Sequence, residues 1–272
     1  MKGFILSFRS EFYKTRKTMA FWSALVLPFL LCGLVSVGFY FTKSQNLLQT
    51  PPSFLWIAFS SVILGPMGFL ILPMLVVFVA YSVNSIEHKA DTWKSLFSLP
   101  ISKLSVYAAK YLYAFFLIFM CLALFMLFTV GFGNLLGTLR PQLQFGQYSM
   151  AGLLAKLYFK LFLSSLGILS IQFLLSLLFR DFLKPMGIGF ICVITGIILA
   201  GNSWQYAYLF PYSHPMITIK ALTDGNHHSI STPAGLPVIE VALFTKEIFV
   251  SLIVSVVVFI SGYFIVLKKS VK

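Results

Sequence analysis

Six stretches of this chain, each about 20 residues long, are continuously apolar, and that is the length an α-helix needs to cross the hydrocarbon core of a bilayer. They fall at roughly 20–41, 56–82, 107–132, 157–179, 186–203 and 247–267. A chain in lipid must satisfy its backbone donors and acceptors internally, so it spans as helices or as a closed barrel. A barrel would show shorter segments of alternating polarity. The predicted fold class is therefore all-α: a polytopic membrane protein with six transmembrane helices. The balance of residues agrees. The chain is 59% hydrophobic and 10% charged, whereas a soluble domain is about 45–50% apolar and about 25% charged. The first span is too long for the apolar core of a secretory signal, and no small-residue cleavage site follows it. It is read as a retained span.

The net charge of +13 does not point to nucleic acid, because Lys and Arg are scattered at span ends and form no single patch. Such flanking charges set topology. Six crossings put both termini on one side. Of the 20 Lys and Arg, the other side carries six: Lys43, Arg140, Lys156, Lys160, Lys220 and Lys246. The remaining 14 share the side of the termini. The positive-inside rule then places both termini and residues 83–106 in the cytoplasm of a multi-pass membrane protein.

Residues 1–18 precede the six-span domain of residues 19–272. In MKGFILSFRSEFYKTRKT, Ile5, Phe8 and Phe12, with Met19 just beyond, recur at helical spacing against Lys2, Arg9, Lys14 and Lys17. This predicts an interfacial helix, apolar face in lipid and basic residues towards phosphates. Pro28, Pro66 and Pro73 interrupt the first two spans and would kink them. Gly133 and Gly137 form a GxxxG that would allow close helix approach. Cys32, Cys121 and Cys192 lie in apolar spans and read as small core residues. Residues 204–246 form a long outer segment. Its Trp204, Tyr206, Tyr208 and Tyr212 suit an aromatic belt, and Pro211, Pro215, Pro233 and Pro237 break any long helix. The middle, TDGNHHSISTPAG, reads as a loop, with His227 and His228 solvated and no metal implied. His214 reads as a polar residue at the interface.

The parts of the spans at hydrocarbon depth carry no Asp, Glu, His, Arg or Lys. Lys160 comes nearest, and its stem is long enough to reach the headgroups. An ion-coupled carrier would ordinarily place an ionisable or unwound site near the midplane. No HExxH, GxSxG or paired acidic motif occurs, and no GxxxxGK[ST] phosphate loop. Energy for uphill transport would have to arrive from a separate chain at the cytoplasmic face.

That directs attention to SIEHKADTWKSLFSLPISK, residues 85–103. It holds two of only seven acidic residues. Residues 84–99 read as a short helix, capped by Asn84 or Ser85, with Glu87 in the first turn and a stop at Pro100. Trp93, Leu96, Phe97 and Leu99 give it an apolar side. Such a helix lies on lipid or fits a groove on a cytoplasmic partner.

The run Glu87…Asp91-Thr92-Trp93-Lys94-Ser95-Leu96…Leu99-Pro100-Ile101-Ser102-Lys103…Lys110 resembles the first cytoplasmic loop of type 2 ABC exporter permeases. Ser10 to Lys17 resembles the interfacial connecting helix of that family. Leu209 to Met216 resembles its aromatic, proline-containing stretch after span five. Within the family the chain looks most like permeases of lantibiotic-protection transporters. A glycine often precedes the loop threonine there, and Asp91 stands in its place here. The resemblance implies two paired permeases, identical or not, above two ATPase subunits that bind ATP and Mg. This chain would then hold no cofactor, no metal and no catalytic residue, and would sit in a bacterial cell membrane. It implies a coupling helix meeting the ATPase through Glu87, Asp91, Trp93, Lys94, Leu96 and Phe97, and an interfacial helix using Phe8, Glu11, Phe12 and Lys14. It also implies an outer segment built on Phe210, Pro211, Tyr212 and Pro215, and a substrate path along spans one, two and five. An ion-coupled carrier and a non-transporting membrane anchor are the alternatives.

Overall fold

The computed structural model describes residues 2–42, 51–90, 92, 101–223 and 241–268. Among these, nine α-helices account for nearly all of the regular structure: α1 (Lys2–Thr15), α2 (Met19–Phe41), α3 (Pro52–Pro66), α4 (Leu72–Ala90), α5 (Lys103–Leu139), α6 (Ala151–Leu178), α7 (Leu183–Gly201), α8 (His214–Thr223) and α9 (Lys246–Lys268). α3 and α4 are joined by a π-helical turn, Met67–Ile71, into one continuous rod. Counting that rod once, six helices are long and apolar enough to cross a membrane. Four of the six predicted spans fall wholly within one of them; 157–179 runs one residue past Leu178 and 186–203 two residues past Gly201.

Local chemistry explains the breaks. Thr18 ends the linker after α1 and caps α2, its hydroxyl accepting from the Phe21 amide at 3.4 Å. Ser102 does the same for α5, accepting from Ser105 at 3.2 Å. Pro66 supplies no amide hydrogen, and the wider turn that follows it is a common accommodation of a broken hydrogen-bond ladder. At the end of α2, Arg140 donates to the orphan carbonyls of Tyr40 at 2.7 Å and Thr42 at 2.9 Å. A helix end leaves such acceptors unpaired unless a side chain reaches them.

These contacts also fix which helix ends lie together. Arg140 brings the end of α5 to the end of α2. Lys103 donates to the Leu267 carbonyl at 3.5 Å, joining the start of α5 to the end of α9. The ends of α1, α4 and α9 therefore share a side with the start of α5, the side of the termini. α6 is the central post, with 72% of its most apolar stretch buried against 17% for α9.

Three expectations are corrected. Residues 84–90 do not begin a separate helix: Asn84 and Ser85 sit inside α4, which runs on to Ala90. No proline or glycine interrupts the run from Met74, so the helix continues past the hydrocarbon edge. Residues 91 and 93–100 lie outside the described residues, and with them Asp91, Trp93, Lys94, Leu96 and Phe97. The loop histidines His227 and His228 also lie outside them.

The second correction concerns residues 204–223. Trp204 and Tyr206 are exposed, as a belt would be, but the chain then folds back into the bundle. Two 3₁₀ turns, Ala207–Leu209 and Pro211–Ser213, lead into α8. Small residues make the room. A Cβ at Gly196 of α7 would stand 2.5 Å from the Tyr212 carbonyl oxygen, and one at Gly68 in the π turn would stand 2.9 Å from the Pro215 oxygen. Pro211 packs against Gly167 of α6, 11 residues from the end of that helix, or about 16 Å along its axis. That is near mid-span. Tyr212 is 3% exposed, and the Gln172 side-chain amide donates to its hydroxyl at 2.7 Å.

The third correction is Lys160. It does not reach for headgroups but is buried, pairing with Glu247 of α9 at 3.3 Å. His214 is likewise fully buried, its Nε2 2.8 Å from the Tyr208 carbonyl oxygen. The GxxxG expectation holds in part. Gly133 accepts the Trp56 ring of α3 against its face, while Gly137 meets the turn at Phe145 and Gly146. Cys32 and Cys121 are buried core residues and Cys192 is half-buried.

Candidate functional site

On the side of the termini, four charged residues from three helices converge. α1 carries Glu11 and Lys14 one turn apart. Glu87 stands in the last turn of α4, and Lys110 two turns into α5. The Lys110 ammonium lies 2.8 Å from Glu11 Oε2 and 2.6 Å from Glu87 Oε2, and donates to the Val83 carbonyl at 3.3 Å. Lys14 closes the ring, 3.5 Å from Glu11 Oε1 and 3.2 Å from Glu87 Oε1. Glu11 is 2% exposed, and Glu87 and Lys110 are 1% exposed. Two carboxylates and two ammonium groups make the knot electrically neutral, the condition under which charges tolerate burial. At Lys14, burial pulls the ammonium pKa down, but Glu11 and Glu87 outweigh it and the net shift is upward. The proton is held.

The local sequence explains how α1 presents this face. Ser7, Glu11 and Thr15 recur every four residues and are buried, so they line one stripe of the helix. Ile5 and Leu6 remain exposed, as a helix at a lipid surface requires. Phe8 and Phe12 both set their rings edge-on to Tyr113 of α5 at 6.3 Å. The four sequence-nominated residues of α1 are thus brought together, but α1 docks on the bundle by a polar stripe rather than only lying on lipid. Glu87, nominated as a docking contact, is instead locked inside the chain. Its two ammonium partners, Lys14 and Lys110, offset the cost of taking the carboxylate out of water.

Around the knot, α4 is tied to α6. Asn84 donates to Ser176 Oγ at 2.8 Å, and His88 Nε2 lies 2.9 Å from the Ser176 carbonyl oxygen. On the same side, a cavity of about 590 Å³ opens between the start of α2, the end of α4 and the start of α7. Thr18, Ser82, Ser85 and Lys89 supply its polar wall, and Met19, Phe78 and Phe182 its apolar one. Lys89 is its one charged lining residue among the described residues.

At the opposite side, Phe210, Pro211, Tyr212 and Pro215 are gathered in the folded-back segment beside His214 and the Lys160–Glu247 pair. Among the described residues, no three His, Cys, Asp or Glu side chains converge as a metal site would need. Sequence reasoning missed the partnership of Lys110 with Glu11 and Glu87, and that of Lys160 with Glu247. The available signal was scarcity: in a chain with seven acidic residues, a carboxylate beside an apolar span is placed for a partner.

The described residues form an all-helical bundle with six helices long and apolar enough to cross a membrane and a buried cluster of four charges on the side of the termini. Comparison with known families gives the next step. The family model of the ABC-2 family transporter proteins matches residues 7–196, well over half of the chain, and the chain belongs to that family. It is a permease-type membrane component of an ABC transporter. No curated protein and no solved structure matches it.

Proposed function

We propose that this chain is the membrane-spanning permease subunit of an ATP-driven exporter in a bacterial cytoplasmic membrane, with both termini cytoplasmic. It pairs with a second permease and is driven by two ATPase subunits, which bind the ATP and Mg. Residues 83–106 form the coupling loop, and Asp91, Trp93, Lys94, Leu96 and Phe97 make the contact with the ATPase. Glu87 has a different part, as the inner anchor of that loop.

The observation that carries the reading is the knot itself. The loop leaves the membrane on α4 and returns on α5, and Glu87 and Lys110 tie those two helices to each other and to α1. A push on the loop therefore moves three elements as one body. The cavity between α2, α4 and α7 lies where spans one, two and five meet, in agreement with a substrate path along those spans. Permeases of the kind this chain resembles export drugs, peptides, lipids or polysaccharides, and these four classes are the substrates to try.

The test is affinity purification from native membranes, followed by reconstitution in proteoliposomes with the ATPase that accompanies the chain. The expected result is ATP-dependent transport, lost when Trp93 and Lys94 are replaced by alanine while the chain still inserts. Repeated recovery without an ATPase would refute the reading. Transport that survives ATP depletion but collapses with the proton gradient would assign the chain to ion-coupled carriers instead, with the buried Lys160–Glu247 pair as the place to look.

A further inference from the structure

A second concavity lies far from the knot, between α5 and α6 on the side away from the termini. It holds about 550 Å³, within the usual range of about 300–1,000 Å³ for small-molecule sites. Its walls are apolar and aromatic, with Leu122, Met126, Phe159 and Phe162 prominent among them. Ala123 and Ala155 leave the space open. Phe119 and Phe162 pack edge-on at 5.2 Å and floor its deep end. Lys156 is its one charged lining residue among the described residues.

Depth decides what fits. Lys156 is 22 residues from Leu178, the end of α6, or about 33 Å along the axis. The hydrocarbon core is about 30 Å thick. With the polar run Arg180–Asp181 marking one edge of the membrane, Lys156 stands at headgroup level at the other. Phe162 lies six residues deeper, about 9 Å into the hydrocarbon. The groove thus begins at a cation in the phosphate layer and continues as an apolar trough towards the midplane. α2 and α9 also present exposed apolar side chains, such as Leu34 and Ile253.

We infer that this groove binds one anionic phospholipid of the leaflet away from the termini, its phosphate at Lys156 and one acyl chain between α5 and α6. A zwitterionic lipid fills the trough equally well but brings a compensating positive charge to Lys156, so the headgroup carries the selectivity. The site needs only that the six helices span a bilayer, and it stands whether or not the coupling reading does.

The experiment is native mass spectrometry of the full-length chain, titrated separately with phosphatidylglycerol and phosphatidylcholine of identical acyl chains. One retained phosphatidylglycerol per chain is expected, with a preference of about fivefold, as one lysine near an anionic surface provides. Lys156→Gln should equalise the two lipids and leave binding itself in place. Ala123→Phe fills the trough and should abolish retention of both, and Ala155→Phe does the same from the exposed wall if the first variant proves unstable. Equal affinity for the two lipids in the unaltered chain would overturn the inference, as would full retention in the filled variants. If filling the trough changes the oligomeric state and not lipid retention, the groove seats a second copy of this chain and the inference falls.

Discussion

Lys110 is the residue on which the junction of α1, α4 and α5 turns. It is buried, and it survives there because two carboxylates neutralise it and a carbonyl takes a further donor. Removing one member of a buried pair leaves an uncompensated charge, which costs about 3–5 kcal/mol. Glu87→Gln and Lys110→Met should each destabilise the chain by that order. The double variant removes one charge of each sign, leaves Glu11 paired with Lys14, and should be more stable than the sum of the two singles implies. A double-mutant cycle on thermal unfolding in detergent checks this; purely additive effects would mean that the two residues do not interact. The knot was half legible in the sequence. Glu11, Lys14 and Glu87 were all singled out, but for external roles, because spacing along the chain says nothing about which loops meet. Lys110 was counted only as a topological charge.

At the scale of elements, the decisive parts are small residues that admit a folded-back segment. Gly196 and Gly68 face backbone oxygens of Tyr212 and Pro215, which cannot swing aside as the end of a flexible side chain can. Gly196→Val and Gly68→Val should therefore destabilise by about 1–3 kcal/mol or more, the usual range for overpacking. Gly38→Ala, at a position with nothing within 4 Å of the added carbon, should be neutral or stabilise by up to about 1 kcal/mol, as glycine is a poor helix interior residue. Melting temperatures of the three variants check the contrast, and equal losses at Gly38 and Gly196 would count against the packing of residues 207–223. The sequence marked these residues as turns and aromatics, and Trp204 and Tyr206 follow that reading. It could not show the return into the bundle, since the gaps that receive Pro211 and Tyr212 belong to glycines in α6 and α7.

For the whole molecule, the ion pairs and caps divide the helix ends into two sets. Thr92 and Gln142 are exposed and lie on opposite sides. A membrane-impermeant maleimide should label Gln142→Cys in intact cells and Thr92→Cys only after permeabilisation. Cys32 and Cys121 are buried and should add little background. Labelling of Thr92→Cys in intact cells would invert the orientation and remove the coupling loop from the cytoplasm.

The sequence by itself determined the number of candidate spans and their helical class, because those follow from a one-dimensional quantity, the length of apolar runs. The spans came out longer in the structure, as at Pro52–Ala90 and Lys103–Leu139, because no helix breaker stands at the hydrocarbon edge. Tertiary structure alone decided that Glu87 faces inward, that Lys160 finds Glu247, and that residues 207–223 descend among the helices. Each depends on a partner on another helix, Lys14 and Lys110 for Glu87 and Glu247 for Lys160, or on a gap left by a missing side chain. Burial of a charge or a turn becomes favourable only once that distant partner is in place.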